Sequence, residues 1–185
     1  MIGRLAFPIF CFLLVEGFLH TKSAARYALR LGLFALISEI PFDISIYNQF
    51  FANDMQNVFF TLLLGLLSLM GMQYAAQLLE QYAPKLRFLS VLPLAVCALL
   101  AELLRTDYSA FGVLLIGALY IFRQNRMYQC MIGAIGTIWE VTAPLAFLTV
   151  YFYNGERGKL KLKYVFYWFY PLHLLLLGLV RNLLF

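Results

Sequence analysis

The sequence predicts an all-α protein, a polytopic transmembrane helical bundle with about seven to eight membrane segments. Of its 185 residues, 63% are hydrophobic and only 12% are charged, whereas a soluble domain carries about 25% charged residues. The mean hydropathy is +0.82. Long, nearly uncharged stretches alternate with short polar connections along the whole chain. These observations argue against a soluble enzyme, a nucleic-acid-binding protein and a disordered chain.

The apolar stretches define the predicted membrane segments, which form a single domain over residues 1–185. They lie at about 5–19, 27–40, 58–79, 88–104, 110–122, 128–153 and 165–184. The second is expected to stop at Pro41, because proline cannot continue the helical hydrogen bonding. Glu140 and Pro144 interrupt the stretch 128–153, which is either one kinked crossing or two short helices.

Basic residues predict the orientation of the segments. The chain has 14 Lys and Arg against 9 Asp and Glu, and in so apolar a sequence such residues mark cytoplasmic loops. The connections 20–30, 81–87, 123–126 and 154–163 are therefore expected inside, and 41–57 and 102–109 outside. This arrangement requires residues 128–153 to go out and return as two short helices. The partner implied by the composition is a lipid bilayer, and no nucleic acid is expected.

Ionisable residues within apolar stretches are candidates for function, because charge is expensive inside a membrane. The candidates are Arg4, Glu16, His20, Glu39, Asp43, Glu102, Asp107, Tyr108 and His173. Arg4 can equally extend to the membrane interface, and Glu102 and Asp107 can equally be solvated loop acids. The three cysteines are dispersed and there are only two histidines, so neither a disulfide framework nor a metal site is expected.

Two histidines deserve separate interpretation. Glu16 lies four residues before His20, so on a helix the carboxylate can orient the imidazole and raise its basicity. An interfacial ion pair explains the same spacing equally well. His173 lies in the middle of the last segment, just after Tyr170 and Pro171. A histidine at that depth indicates either a functional role or a polar packing role.

Several strings along the chain resemble the TraX family, named for the conjugation protein that acetylates the amino terminus of F-type pilin. They are IGRLAFPIF from Ile2, EGF and HT from Glu16, LISEIPFD from Leu36, NVFFTLLLG from Asn57, TDY from Thr106, YNGERG from Tyr153 and FYPLH from Phe169. They follow the family order over nearly the whole chain. That family is similar to the larger superfamily of membrane acyltransferases, in which Arg26 and Arg30 resemble a basic pair and His173 resembles a late histidine.

The resemblance implies an O- or N-acetyltransferase in the bacterial inner membrane. It would transfer acetyl from cytoplasmic acetyl-CoA to an acceptor at the outer face, either a peptide like the pilin amino terminus or a glycan. The expected catalytic residues are His173, His20, Glu16 and Asp107. The expected coenzyme A contacts are Lys22, Arg26, Arg30 and Arg157, and the expected acceptor contacts are Glu39, Asp43, Tyr108 and Arg4.

Two departures from the family pattern leave other functions open. Family members usually carry one more helix, with an Asp-His pair, before the Ile2-Gly3-Arg4 stretch, whereas this chain begins at that stretch. Ser109 stands where relatives commonly have glycine. A transporter or flippase-like protein without chemistry, and an assembly factor of a pilus or conjugation apparatus, are therefore the alternatives.

Overall fold

The computed structural model describes residues 2–52, 54–155 and 163–184, and regular structure in these ranges is helical apart from one bridge between Gln56 and Thr106. The all-α prediction is confirmed. The helices are α1 (Ala6–His20), α2 (Ala24–Tyr47), α3 (Val58–Tyr82), α4 (Leu92–Leu103), α5 (Ser109–Ile121), α6 (Arg126–Gly136), α7 (Ala146–Tyr151) and α8 (Lys163–Leu184). Short 3-10 segments occupy Ile2–Leu5, Pro84–Val91 and Ala143–Leu145.

Capping side chains explain where several helices begin. The Ser23 hydroxyl accepts a hydrogen bond from the backbone N–H of Arg26 at the start of α2. The side chains of Asn57 and Asn125 do the same at the starts of α3 and α6. Serine and asparagine are preferred at this position because their oxygens satisfy N–H groups that have no partner within the helix.

Helix α2 corrects one prediction. The sequence predicts an end at Pro41, but the helix continues to Tyr47. The residue after it, Asn48, caps the helix in the left-handed conformation, with φ of 56°. Proline removes one backbone hydrogen bond, and contacts beyond it hold the last turns in place. The Asp43 carboxylate accepts a hydrogen bond from the N–H of Ala52 at 2.8 Å, and Arg181 of α8 donates to the carbonyls of Ser45 and Ile46.

The stretch 128–153 contains two short helices, α6 and α7, rather than one kinked helix. Turns and the Ala143–Leu145 segment separate them. The two helices pack so closely that a Cβ atom at Gly133 would collide with the ring of Phe147. The connection between the two helices carries Glu140, which is buried.

Apolar side chains of α1, α3 and α5 form the centre of the core. The largest fully buried ones are Val15, Leu66, Leu69, Val113, Ile116 and Leu119. Helix α4 packs on α3 and α5, and α8 packs on α2. The arrangement leaves α8 at the edge of the bundle.

Helix length and hydropathy single out two membrane-spanning candidates among the described residues: Val58–Tyr82 and the continuous segment Pro84–Leu103. Ala6–His20 and Ser109–Ile121 are apolar but shorter. A helix of 15 residues rises about 22 Å, which is less than the roughly 30 Å of a hydrocarbon core. The expected number of seven to eight membrane segments is therefore not confirmed.

Candidate functional site

Ionisable residues gather at two opposite ends of the bundle. We call the end that holds Glu39, Asp107 and Glu140 the acidic end, and the end that holds Glu16 and Arg126 the basic end. Helix α1 connects them: Phe7 near its start stacks on Tyr108, and Phe18 near its end contacts Tyr120 at the end of α5. By the distribution of basic loops, the acidic end is predicted to face outward.

At the acidic end, two loops are joined through their backbones. The N–H of Gln56 donates to the carbonyl of Arg105 at 3.0 Å, and the N–H of Asp107 donates to the carbonyl of Gln56 at 2.9 Å. These bonds fix the loop between α4 and α5 against the loop between α2 and α3. The position of Asp107 is therefore set by backbone hydrogen bonds rather than by its own side chain.

Asn57 connects this loop pair to α2. Its side-chain amide is fully buried and donates to the carbonyl of Ala35 at 2.8 Å and to the Glu39 carboxylate. Its backbone N–H also reaches Glu39, at 3.4 Å. One carboxylate oxygen of Glu39 is satisfied in this way, and the other, Oε1, is buried without a partner.

Asp107 lies among other ionisable groups. Its surroundings raise its pKa to about 6, mainly by partly desolvating the carboxylate and also through the nearby carboxylate of Glu140. The hydroxyl of Tyr170 accepts a hydrogen bond from the N–H of Val58 and is close enough to Asp107 and Glu39 for electrostatic interaction. Asp107, Glu39, Glu140 and Tyr170 thus form one cluster from four different parts of the chain.

Tyr108 borders this cluster. Its ring stacks on Phe7 with the ring centres 3.4 Å apart, and its N–H donates to the hydroxyl of Thr61 at 3.4 Å. Arg4 and Glu140 both act electrostatically on the Tyr108 hydroxyl. Two of the predicted acceptor contacts, Arg4 and Tyr108, are therefore neighbours.

Buried polar atoms without hydrogen-bond partners concentrate at and beside the acidic end. Among the described residues they are Ser38 Oγ, Glu39 Oε1, Asp43 Oδ1, Thr106 Oγ1 and, elsewhere, Arg30 Nε. An unsatisfied buried polar atom costs about 1–3 kcal/mol, so each one requires an explanation. An ordered water or a polar ligand is the kind of group that satisfies such atoms.

At the basic end the partly buried charges of Glu16 and Arg126 have partners. Both terminal nitrogens of Arg126 lie 3.3 Å from Glu16 Oε1. Arg126 also donates to Gln129 at 2.8 Å, and Gln129 in turn donates to the carbonyl of Leu119 at 2.7 Å. The guanidinium lies over the ring of Phe12, 4.8 Å from its centre. This network joins α1, α5 and α6.

The predicted Glu16–His20 pair is only partly formed. The side chain of His20 is 68% exposed, and its Nδ1 lies 3.9 Å from Glu16 Oε2 and 2.9 Å from the backbone carbonyl of Glu16. Glu16 bonds mainly to Arg126. Of the predicted coenzyme A contacts, Lys22 and Arg26 are exposed at the same end, and Arg157 lies outside the described residues.

His173 lies on α8, away from the Glu16–His20 pair. Its Nδ1 is 3.1 Å from the carbonyl of Phe169 on the same helix, and its ring stacks on that of Phe169. An edge contact with Tyr170, at 5.6 Å between ring centres, is its link toward the acidic end. The predicted catalytic residues are therefore distributed over three places: the basic end, the acidic end and α8.

An apolar cavity of about 210 Å³ lies between α1, α2, α3 and α8. Its lining is Phe10, Leu13, Leu14, Tyr27, Leu31, Val58, Phe59, Leu62, Tyr167 and Tyr170. Tyr170 borders the acidic end. Tyr27 and Tyr167 border Arg30, which hydrogen-bonds Tyr167 and lies 5.7 Å from the Tyr27 ring centre. The cavity therefore extends from Arg30 toward the acidic cluster.

Sequence reasoning missed four residues of these sites: Asn57, Arg126, Glu140 and Tyr170. Glu140 is a carboxylate in an apolar stretch, so its cost in a membrane was a usable signal. Arg126 was interpreted only as a cytoplasmic marker, and its partner Glu16 is 110 positions away. No spacing rule connects residues at such a distance.

Comparison with known proteins places the chain among relatives. The sequence model of a family described as "TraX protein" matches residues 1–181. The probable fimbrial assembly protein FimC, serogroup H1, of Dichelobacter nodosus is 30% identical over 200 residues, covering 95% of this chain and 80% of that protein. No solved structure matches the chain.

Proposed function

Because the chain belongs to the TraX family, we propose that it is an integral membrane acyltransferase that moves an acetyl group from cytoplasmic acetyl-CoA to an acceptor at the outer face. The acceptor is a peptide amine or a glycan hydroxyl. The observation that carries the proposal is the acidic cluster of Asp107, Glu39, Glu140 and Tyr170 at one end of the apolar cavity. Glu39 has one buried oxygen without a partner, and the surroundings of Asp107 raise its pKa, as is typical of carboxyl groups that transfer protons.

Asp107 is the proposed general base. The acceptor nitrogen or oxygen forms a bond to the acyl carbon, the carbon–sulfur bond breaks, and the thiolate takes up a proton as it leaves. Asp107 accepts the proton that the acceptor loses. A pKa of about 6 leaves the carboxylate ionised at neutral pH and still close to the working pH, which favours general-base catalysis. The hydroxyls of Tyr108 and Tyr170 are available to donate to the acyl oxygen.

Arg30 is the proposed contact for an anionic part of the donor. It lies beside Tyr27 and Tyr167, which line the cavity, and a guanidinium pairs well with an anionic group. Lys22 and Arg26 add positive charge at the basic end, where phosphates of coenzyme A would be attracted. The bound donor would supply the activated acyl thioester.

His173 has a positioning role in this proposal. Its imidazole contacts Tyr170, and Tyr170 borders Asp107. His173→Ala would then lower acyl transfer by loosening Tyr170, and His173→Gln would restore part of it. Retained activity in His173→Gln distinguishes positioning from proton transfer, because glutamine does not titrate.

A second candidate function rests on the printed name of the FimC relative. A non-catalytic assembly factor for surface fibres would need the shape of the bundle and a stable partner, but no turnover. It predicts a fibre subunit that co-purifies with the chain. Under the first proposal, the same subunits are natural acceptors that bind transiently.

The test is acyl transfer by the purified chain in lipid nanodiscs. With labelled acetyl-CoA and an amine or hydroxyl acceptor, we expect label transfer or slow hydrolysis above that of empty nanodiscs. Asp107→Asn should lower the rate by about 100-fold or more. Asp54→Asn, an exposed acid in the neighbouring loop, is the matched control and should retain the rate. Absence of turnover in the wild type, with a stably bound fibre subunit, would favour the assembly role instead.

A further inference from the structure

We propose that Asn57 is a positioning residue for Asp107. Together with the peptide group that precedes it, Asn57 joins the loop that carries Asp107 to the Glu39 carboxylate of α2. We call this arrangement of Glu39, Gln56, Asn57 and Asp107 the Asn57 joint. The proposal rests on the proposed function only for its effect on acyl transfer, because the joint itself is a matter of hydrogen bonding.

One peptide group lies between the two acidic residues. The carbonyl of Gln56 accepts the N–H of Asp107 at 2.9 Å. The N–H of the same peptide group belongs to Asn57 and lies 3.4 Å from Glu39 Oε2. In a planar trans peptide the C=O and N–H point in opposite directions. The backbone of Asp107 and the carboxylate of Glu39 are therefore held on opposite sides of one rigid unit.

The side chain of Asn57 fixes this peptide group against α2. Its amide nitrogen donates to the Glu39 carboxylate and, at 2.8 Å, to the carbonyl of Ala35, so both N–H bonds of the amide are used. Its oxygen accepts the N–H of Phe59 at 3.0 Å. Because Asn57 is fully buried, a hydrogen bond lost here is not readily replaced by one to water.

Glu39 depends on Asn57 for its orientation. Among the described residues, the acidic side chains in ion pairs are Glu16 and Glu80, so no basic side chain holds Glu39. The groups that act electrostatically on its carboxylate are Asp43 of the same helix and Tyr170 of α8, and neither attracts a negative charge. The hydrogen bonds from Asn57 are thus the contacts that fix the carboxylate.

The two ends of the Asn57 amide have separable roles. The oxygen caps α3, and serine fills that role as well as asparagine does. The nitrogen forms the joint, and serine cannot replace it because a hydroxyl has a single hydrogen to donate. Asn57→Ser therefore breaks the joint and keeps the cap. Asn125, which caps α6 through its oxygen and is exposed, provides the matched control, Asn125→Ser.

The consequence of a broken joint falls on Asp107. Partial desolvation is the main cause that raises its pKa to about 6, and a loop that moves away from α2 exposes the carboxylate to water. The groups that act electrostatically on Asp107, or on which it acts, are Glu140, Tyr47, Tyr108 and Tyr170. All four are unchanged in the variants, so a shifted titration reports the position of the loop.

Carbon NMR of labelled aspartate carboxyl groups, in the full chain in nanodiscs, tests the proposal without turnover. The chain has three aspartates, and Asp107→Asn identifies the signal of Asp107. We expect this signal to titrate at about pH 6 in the wild type and in Asn125→Ser, and at a lower pH, closer to 3.8, in Asn57→Ser. The amide hydrogen of Asp107 should also exchange faster in Asn57→Ser.

Variants of Glu39 test the joint from its other side, and they decide the matter even if Asn57→Ser does not fold. Glu39→Gln keeps an oxygen that accepts from Asn57 and should keep the titration midpoint of Asp107. Glu39→Ala should lower the midpoint as Asn57→Ser does. Because both changes break the same joint, the double variant should lower it no further than the more severe single variant.

Acyl transfer gives a second readout that separates positioning from donor binding. Asn57→Ser should lower kcat about tenfold or more, because a displaced base loses its reacting geometry. The KM for acetyl-CoA should stay unchanged, since the proposed donor contacts lie at the basic end. Asn125→Ser should retain both kinetic constants.

Three results would overturn the proposal: an unchanged Asp107 midpoint in Asn57→Ser or in Glu39→Ala, an equal fall of the midpoint in Glu39→Gln or Asn125→Ser, and additive effects in the double variant. None of them requires turnover. Acyl transfer with an unchanged midpoint would refute the joint alone, and the expected midpoints in a chain that transfers no acetyl group would refute the proposed function alone.

Discussion

The charged side chains at the two ends of the bundle differ in how completely they are hydrogen-bonded. At the basic end, Glu16 lies 3.3 Å from Arg126, and Arg126 also donates to Gln129. At the acidic end, Glu39 and Asp43 each have one buried carboxylate oxygen without a partner. Both ends bring carboxylates into an apolar bundle. A buried charge that is fully hydrogen-bonded fixes the elements that carry its partners. Removing one partner leaves the other charge buried without compensation for its lost hydration. A carboxylate with incomplete partners instead keeps the capacity to bind a ligand or a proton.

The largest expected effect on stability comes from breaking the complete network. Arg126→Ala leaves Glu16 largely buried without its partner and should lower the free energy of unfolding by about 2–3 kcal/mol. Denaturant titration in detergent, followed by circular dichroism, measures it. Arg87→Ala removes an exposed pair with Glu80 and should change stability by less than about 0.5 kcal/mol. Equal losses in the two variants would mean that burial does not distinguish these pairs.

Packing under the acidic end gives the next effect. A Cβ atom at Gly112 would lie 2.5 Å from Thr61 Cγ2 and 2.8 Å from the Cβ of Tyr108. Gly112→Ala should therefore cost about 1–3 kcal/mol and lower acyl transfer by displacing Tyr108. Gly136→Ala, where the added atom meets only Leu115 at 3.6 Å, should do neither. A Gly112→Ala variant with the melting temperature and activity of the wild type would contradict the close approach of Thr61 and Tyr108 to Gly112.

The pH dependence of transfer sharpens the role of Asp107. Because a general base must be deprotonated, kcat/KM should rise with pH through about 6, following the raised pKa of Asp107. Stability should change in the opposite direction. Folding raises the pKa of Asp107 from 3.8 to about 6. The protonated carboxyl therefore contributes its full stabilisation of the folded state below about pH 3.8, and this contribution is lost as the pH rises to about 6. An unchanged acid limb of kcat/KM in Asp107→Asn would assign that limb to another group.

The smallest effect is expected at His20. Its side chain is mostly exposed, and Glu16 has Arg126 as its principal partner. His20→Ala should change the free energy of unfolding by no more than about 0.5 kcal/mol and leave acyl transfer within about twofold. A loss of transfer comparable to that of Asp107→Asn would return the catalytic role to the basic end.

Local patterns predicted much of the helical architecture, and distant contacts decided the rest. The start of α3 at Val58 follows from the asparagine before a long apolar run. Beyond Pro41, Arg181 of α8 contacts the last turn of α2 from more than 130 positions away, and no local rule contains that contact. The same holds for the site. Asp107 and Tyr108 can be identified from the sequence as polar residues that follow an apolar run. Tyr170 cannot, because only the fold brings it next to them.

The unfolding free energies of Glu16→Gln and Asp107→Asn, measured side by side at about pH 8, test the contrast between the two ends most directly. This pH lies above the pKa of about 6 of Asp107, so the Asp107 carboxylate is ionised in the wild type. The account predicts that Glu16→Gln loses about 2–3 kcal/mol, because the charge of Arg126 loses its ionic partner, and that Asp107→Asn is as stable as the wild type or more so. An equal loss in both variants, or a larger loss in Asp107→Asn, would contradict it.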